Sequence, residues 1–90
     1  MAPLTESEIE SGLLRCPGWQ RRGSEITRSF AFADFKAAMA FVNRVAGLAD
    51  AADHHPDIDI RYSKVTLTLT THDAGGLTAR DFALAAAIGA

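Results

Sequence analysis

The chain has 90 residues with nine basic and eleven acidic side chains, which gives a formal net charge of −2. This length suits one domain with one modest core, so we predict a single domain over residues 1–90. A slightly acidic chain offers no positive field to phosphate backbones, which argues against direct nucleic-acid binding. No apolar run reaches the roughly 20 residues that a membrane span needs, and the beginning of the chain lacks a signal-peptide pattern, so we expect a cytoplasmic protein.

A first short helix is predicted near the beginning of the chain. Thr5 and Glu8 have the spacing of a capping box, so the helix should begin at Glu6. Pro17 should follow its end, because proline cannot continue the hydrogen-bond ladder of a helix. Cys16 is the only cysteine, so it cannot form an intrachain disulfide, and we interpret it as a residue without a functional role.

Two extended segments follow this helix and predict a β-hairpin. Residues 19–21 and 25–32 lack helical periodicity, and isoleucine and phenylalanine residues of the second segment alternate onto one face. Gly23 offers the turn between them. Trp19, the single tryptophan, is interpreted from its position as a core residue, with an aromatic wall for a flat ligand as the alternative.

The longest helix is predicted in the middle of the chain. Asp34 can cap its start, and apolar residues then recur with the i, i+3, i+4, i+7 spacing of one helix face as far as Ala49. His55 precedes Pro56, and a residue before proline avoids helical backbone. The helix should therefore end near residues 52–53.

Two antiparallel strands are predicted after this helix. Residues 57–62 and 65–70 alternate apolar with polar side chains, and residues 63–64 separate the two runs. The threonines of the second strand share their parity with His72. If the apolar face packs on helices, this parity places His72 on a face open to solvent, a partner subunit or a ligand.

A second capping box predicts the last helix. After the break at residues 75–76, Thr78 can cap the helix and Asp81 can return the bond, and the helix should run to the end of the chain. The order is then α-β-β-α-β-β-α. It predicts an α+β fold, in which a four-stranded antiparallel sheet has three helices packed on one face.

All three histidines lie between positions 54 and 72, and histidine is the side chain best suited to exchange protons near neutral pH. His54, His55 and His72 therefore suggest general acid/base chemistry. Asp50 lies four residues before His54, a spacing that can bring a carboxylate beside an imidazole near a helix end. Two alternatives stay open. One is a metal site, although the recognisable zinc spacings are absent, and the other is a purely structural role for the histidines.

The arrangement of these residues resembles a known family, the pterin-4a-carbinolamine dehydratases, which are also the dimerisation cofactors of hepatocyte nuclear factor. The matching signature runs through Asp50, His54-His55-Pro56, Tyr62, His72 and Asp81. The similarity covers roughly residues 4–90 and is clearest in the segments 17–19, 28–35 and 67–81.

The resemblance implies an activity and a place for it in metabolism. Members remove water from 4a-hydroxytetrahydropterin to give quinonoid dihydropterin, which recycles the pterin that an aromatic amino acid hydroxylase has used. No metal or organic cofactor is implied. The alternative is a non-catalytic module, either a dimerisation or transcriptional coactivator protein or a pterin-binding protein of molybdopterin metabolism.

The resemblance also implies roles for individual residues. His54 and His72 are the expected acid/base pair, and His55 is an accessory or pterin-binding group. The residues expected to bind the substrate or to support the histidines are Trp19, Asp50, Asp53, Thr71 and Asp81. This chain departs from the family by having Asp50 where glutamate is usual, which shortens the reach of the carboxylate. Because it also stops earlier than many relatives, we expect a homodimer, with a tetramer as the alternative.

Overall fold

The fold has three α-helices and four strands in the predicted order, and the computed structural model describes residues 2–89. The elements are α1 (Glu6–Leu14), β1 (Gln20–Arg22), β2 (Glu25–Ala31), α2 (Phe35–Ala52), β3 (Asp57–Arg61), β4 (Lys64–Leu69), a 3₁₀ turn (His72–Ala74) and α3 (Ala79–Ile88). The 3₁₀ turn is the element that the sequence did not indicate. Within residues 2–89, no helix combines the length and the apolar character that crossing a membrane requires.

The four strands form one antiparallel sheet in the order β1-β2-β4-β3, which confirms the predicted α+β fold. The turn between β3 and β4 lies at Tyr62-Ser63, because Arg61 pairs with Lys64. It therefore comes one residue earlier than predicted. Tyr62 has a left-handed backbone with φ of 52° and an exposed side chain, so it does not extend the apolar face of β3 as its parity suggested.

The core lies between one face of the sheet and the helices. On β4, Val65, Leu67 and Leu69 are fully buried and alternate with threonines on the opposite face. The helices contribute mainly small and branched side chains, together with the ring of Phe82, and the former include those of Ile9, Ala38, Val45, Ala49, Leu84 and Ile88. Ile58 and Ile60 of β3 pair with buried residues of β4 but remain more than one-third exposed, because they lie at the edge of the sheet.

Both predicted capping boxes are present. Thr5 accepts a hydrogen bond from the backbone N–H of Glu8, and the Glu8 carboxylate accepts one from Thr5. Thr78 and Asp81 form the equivalent box at the start of α3. The last helix was predicted to run to the end of the chain, but it ends at Ile88, and the final residue lies outside the described residues.

The first helix is fastened at two places. Gly12 packs so closely on α3 that a Cβ atom built on it would lie 2.8 Å from the Phe82 ring. At the other side, the Arg21 guanidinium on β1 binds both carboxylate oxygens of Glu6, at 2.5 and 2.8 Å. These hydrogen bonds lower the pKa of Glu6 below its ordinary value.

Candidate active site

The three histidines gather at one end of the sheet. Because β3 and β4 are antiparallel, the start of β3 and the end of β4 lie side by side, and the end of α2 and the start of α3 meet them there. A cavity of about 240 Å³ opens at this place. Its lining residues are Asp53, His54, His55, Thr70, Thr71, His72, Asp73 and Arg80.

The backbone at the end of α2 determines the positions of His54 and His55. Asp53 has a left-handed backbone with φ of 49°, and its N–H donates to the carbonyls of Ala49 and Asp50. The backbone N–H of His54 also donates to Ala49, at 3.1 Å. The irregularity expected from Pro56 therefore begins earlier, at Asp53, where the chain turns sharply before His55.

The imidazole of His54 is hydrogen-bonded to a buried carboxylate. Its Nε2 lies 2.6 Å from Oδ1 of Asp81, and the two residues are 8 % and 0 % exposed. The other oxygen of Asp81 accepts hydrogen bonds from the Thr71 hydroxyl at 2.8 Å and from the backbone N–H of Thr78 at 2.9 Å. Asp81 thus caps α3 and also binds the imidazole of His54.

This network sets the tautomer of the His54 ring. A carboxylate only accepts hydrogen bonds, so the proton between His54 and Asp81 lies on Nε2. In a neutral ring, Nδ1 then carries the free lone pair.

The predicted pairing of Asp50 with His54 is wrong. Oδ1 of Asp50 lies 2.9 Å from Nε2 of His55 instead, and both side chains are more than half exposed. The reason is the left-handed Asp53, which ends the helix before His54, so that His54 does not lie one turn above Asp50. The aspartate, despite its shorter reach, is in hydrogen-bond contact with an imidazole of the cluster.

His72 reaches the cavity by a different route. The strand pairing of β4 ends at Leu69, Thr71 forms an isolated bridge with Gly76, and His72 begins the 3₁₀ turn. The strand parity used to place His72 therefore does not extend to it. The Thr71 hydroxyl, expected to bind the heterocycle, is committed to Asp81 and to Thr78. His72 is exposed, and it brings the third imidazole to the cavity.

Trp19 is not brought to this cavity. It is 5 % exposed, packs edge-on against Phe30, and lines a separate cavity near Cys16 and Gly89, at the other end of α3. The structure thus places Trp19 in the core. Cys16 is also buried, and its burial raises the pKa of the thiol, which makes it a poor nucleophile.

One lining residue, Arg80, was missed by the sequence analysis. Its Nη2 donates to the backbone carbonyl of Asp53 at 2.5 Å. The available signal was its position in the first turn of α3, where a cation opposes the helix dipole. Its contact with the Asp53 carbonyl offsets this unfavourable position, and both residues line the cavity.

This cavity is the candidate active site because of the side chains that line it, and not because of its volume. A larger one, of about 590 Å³, lies between α1 and α3, and its lining contains no histidine. Among the described residues, no group of three or more His, Cys, Asp or Glu side chains is placed to hold a metal ion. The site thus offers three imidazoles, supporting carboxylates and one guanidinium around a small polar cavity.

Comparison with solved structures identifies close structural relatives. The structure of a transcriptional coactivator/pterin dehydratase from Brucella melitensis superposes with a TM-score of 0.90 at 40% identity, covering 98% of this chain and 99% of that one. A pterin dehydratase-like protein identified as a RuBisCO assembly factor in the α-carboxysome has a TM-score of 0.69 at 24% identity, covering 83% of this chain and 89% of that one. The latter similarity establishes the shared fold alone.

Comparison with known sequences gives the family. A relative from Chloroflexus aurantiacus, named "Putative pterin-4-alpha-carbinolamine dehydratase", is 61% identical over 88 residues, which are 98% of this chain and 95% of the relative. One of the same name from Acidobacterium capsulatum is 60% identical over 88 residues, which are 98% of this chain and 96% of the relative. The model of the pterin 4 alpha carbinolamine dehydratase family matches residues 2–90. The chain therefore belongs to the pterin 4 alpha carbinolamine dehydratase family.

Proposed function

We propose that this protein is a hydro-lyase that removes water from 4a-hydroxytetrahydropterin and releases quinonoid dihydropterin. The observation that carries the proposal is the meeting of His54, His55 and His72 around one small cavity, with carboxylates bound to two of the three rings. Ligand cavities for drug-sized molecules measure about 300–1,000 Å³. A cavity of about 240 Å³ that is open to solvent suits a small bicyclic ring.

The reaction needs two proton transfers. A base takes the proton from N5 of the pterin, and the electron pair of that N–H bond forms the N5=C4a double bond. The C4a–O bond breaks, and an acid protonates the departing hydroxyl so that it leaves as water. Imidazoles serve as base and acid near neutral pH without a cofactor.

The geometry favours particular roles for the histidines. His54, whose Nε2–H is held by Asp81, offers the lone pair of Nδ1 and suits the base. His72, at the exposed rim of the cavity, then suits the acid that protonates the leaving oxygen. His55, oriented by Asp50, serves as the accessory group that contacts the pterin.

The decisive experiment is a dehydration assay with a 4a-hydroxytetrahydropterin generated in situ, with the uncatalysed rate subtracted. We expect activity in the parent, and His54→Ala and His72→Ala should each lower kcat at least about a hundredfold, because general acid–base catalysis contributes that much or more. His54 has a buried partner, so its variant can also lose stability. The exposed His72 gives the test that is free of this complication.

A matched control for this experiment is Lys36→Ala. Lys36 is exposed in the first turn of α2, at the end of that helix remote from the histidines. This variant should keep the activity of the parent. Full activity in both histidine variants, with unchanged circular dichroism, would contradict the acid/base assignment.

An alternative function is a non-catalytic dimerisation or coactivator module, or a pterin-binding protein of molybdopterin metabolism. The name of the Brucella relative, which joins coactivator and dehydratase, supports keeping it. A parent protein that is inactive beside an active positive control would favour this alternative. The presence of three titratable rings in one cavity favours the enzyme, because a binding module has no need of them.

The wider role follows from the substrate. A 4a-hydroxypterin arises when a pterin-dependent monooxygenase delivers one oxygen atom of O₂. We therefore propose that this enzyme acts on the product of an aromatic amino acid hydroxylase. We further propose that it acts as a homodimer. The cytoplasmic location expected from the sequence stays a prediction.

A further inference from the structure

Arg80 connects the start of α3 with the turn that carries the histidines. Its Nη2 donates to the Asp53 carbonyl at 2.5 Å, and its side chain is partly buried beside the cavity. The Asp53 carbonyl belongs to the same peptide unit as the backbone N–H of His54. That N–H donates to Ala49 at 3.1 Å, so both polar groups of this one peptide unit are bound.

The helix α3 therefore holds His54 at two points. Asp81 binds the imidazole ring, and the adjacent Arg80 binds the peptide unit that precedes the Cα atom. The turn itself depends on Asp53, which has φ of 49°, a left-handed conformation that aspartate adopts more readily than most residues with a Cβ atom. The contact from Arg80 adds a side-chain restraint to a turn that otherwise has only its own backbone hydrogen bonds to the end of α2.

Among the side chains that line the cavity, that of Arg80 is the best suited to hold the Asp53 turn in one conformation. Apart from the histidines, it is the only basic side chain among the lining residues, and it is located in the first turn of α3, where the helix dipole disfavours a cation. A guanidinium presents several N–H groups in a fixed plane, which allows it to orient a carbonyl as well as to neutralise charge.

We propose that Arg80 is a positioning residue, which fixes the plane of the Asp53–His54 peptide and thereby the placement of the His54 and His55 imidazoles in the cavity. Its effect on turnover rests on the proposed dehydratase function, whereas its effect on ring placement does not. It acts through the backbone and takes no part in the proton transfers.

The test compares Arg80→Ala and Arg80→Lys with the parent. In the dehydration assay, Arg80→Ala should lower kcat about tenfold to a hundredfold, as misplacement of a reacting group by about 1 Å does, with a smaller change in KM. Arg80→Lys keeps the charge but lacks the planar guanidinium, so it should remain impaired. Guanidinium chloride, well below denaturing concentrations, should partly restore Arg80→Ala, whereas sodium chloride at the same concentration should not.

A second readout does not depend on activity. In ¹H–¹⁵N spectra that detect the imidazole nitrogens, the His54 and His55 signals should shift or broaden in Arg80→Ala, while the Trp19 indole signal stays in place. Arg15→Ala is the matched control, since Arg15 is an exposed arginine at the end of α1, outside this cavity. It should leave the rates and the imidazole signals unchanged.

The outcomes separate this inference from the proposed function. Unchanged His54 and His55 signals in a folded Arg80→Ala variant would overturn the positioning role, whether or not the parent is active. Parent-like rates and signals in Arg80→Lys would overturn it too, because charge alone would then suffice. An inactive parent whose imidazole signals still respond to Arg80→Ala would remove the dehydratase proposal and leave the positioning role intact.

Discussion

At the scale of single residues, the site contains two histidine–carboxylate pairs that differ in burial. The pair of His54 and Asp81 is buried, and further donors surround its carboxylate. The pair of His55 and Asp50 is exposed on both sides. The same two side-chain types should therefore contribute very differently to stability, because water competes for the exposed pair and not for the buried one.

The substitution of aspartate by asparagine in each pair tests this difference. Asp81→Asn places an amide N–H₂ group among donors, so we expect a loss of about 3 kcal/mol in the free energy of unfolding. Asp50→Asn, in the exposed pair, should change it by less than about 1 kcal/mol. Urea unfolding of both variants, followed by circular dichroism, measures the two values. Equal losses would show that the burial of Asp81 does not matter as described.

The residue scale is also where prediction from sequence was least successful. The capping role of Asp81 could be predicted, because it depends on the local spacing to Thr78. Its bond to His54 could not, because those residues are 27 positions apart and meet only in the folded chain. The pairing of Asp50 with His55 depended on one backbone angle at Asp53, which sequence spacing does not encode.

At the scale of elements, the packing of α1 on α3 depends on one glycine. Gly12 is buried in α1, and the Phe82 ring occupies the space that a Cβ atom would need. A second helical glycine, Gly47, is exposed in α2 and has no heavy atom within 4 Å of such a Cβ. Substitution of Gly12 therefore tests the effect of close packing on stability, and substitution of Gly47 tests the effect of helix propensity alone.

Alanine substitutions at these glycines should have opposite effects. Gly12→Ala should destabilise the fold by about 1–3 kcal/mol, because the Phe82 ring must move within the core. Gly47→Ala should stabilise it by about 0.5–1 kcal/mol, because alanine favours helix and nothing obstructs the added methyl group. Thermal unfolding of both variants checks the signs, and a stabilised Gly12→Ala would contradict the packing argument.

The elements themselves were predictable where their causes are local. Helix starts follow from capping spacing, and strands follow from alternation, so the order and the fold class were obtained from the sequence. The 3₁₀ turn at His72 was missed because it depends on the bridge between Thr71 and Gly76. The shift of the β3–β4 turn to Tyr62 was missed because that residue adopts a left-handed backbone without being glycine.

At the scale of the whole molecule, the sheet has two edges of unequal character. The β1 edge is three residues long and carries two arginines, features that discourage strand pairing. The β3 edge is longer, and its Ile58 and Ile60 remain more than one-third exposed. If two copies of β3 paired antiparallel about Asp59, Asp57 would face Arg61 and Ile58 would face Ile60. This self-complementarity favours a second copy of the chain as the occupant of this edge.

The predicted homodimer is therefore testable at the β3 edge. Ile60→Lys should weaken self-association at least about tenfold, a change of about 1.4 kcal/mol, because a lysine replaces an apolar contact. Leu14→Lys is the control, since Leu14 is strongly exposed at the end of α1 and outside the sheet. Sedimentation velocity over a range of concentrations measures the association. A monomeric parent, or an Ile60→Lys variant that associates like the parent, would contradict the prediction.

The position of Trp19 supplies an optical probe for all of these experiments. The chain has a single tryptophan, and its buried indole Nε1 has no hydrogen-bond partner among the described residues. Gly89, beside which the indole lies, follows Asp81 by eight positions, which is about 12 Å along the helix. Tryptophan fluorescence therefore reports the solvent exposure of the core from a position outside the histidine cavity. Loss of folding and loss of chemistry can thus be recorded in one sample as separate signals.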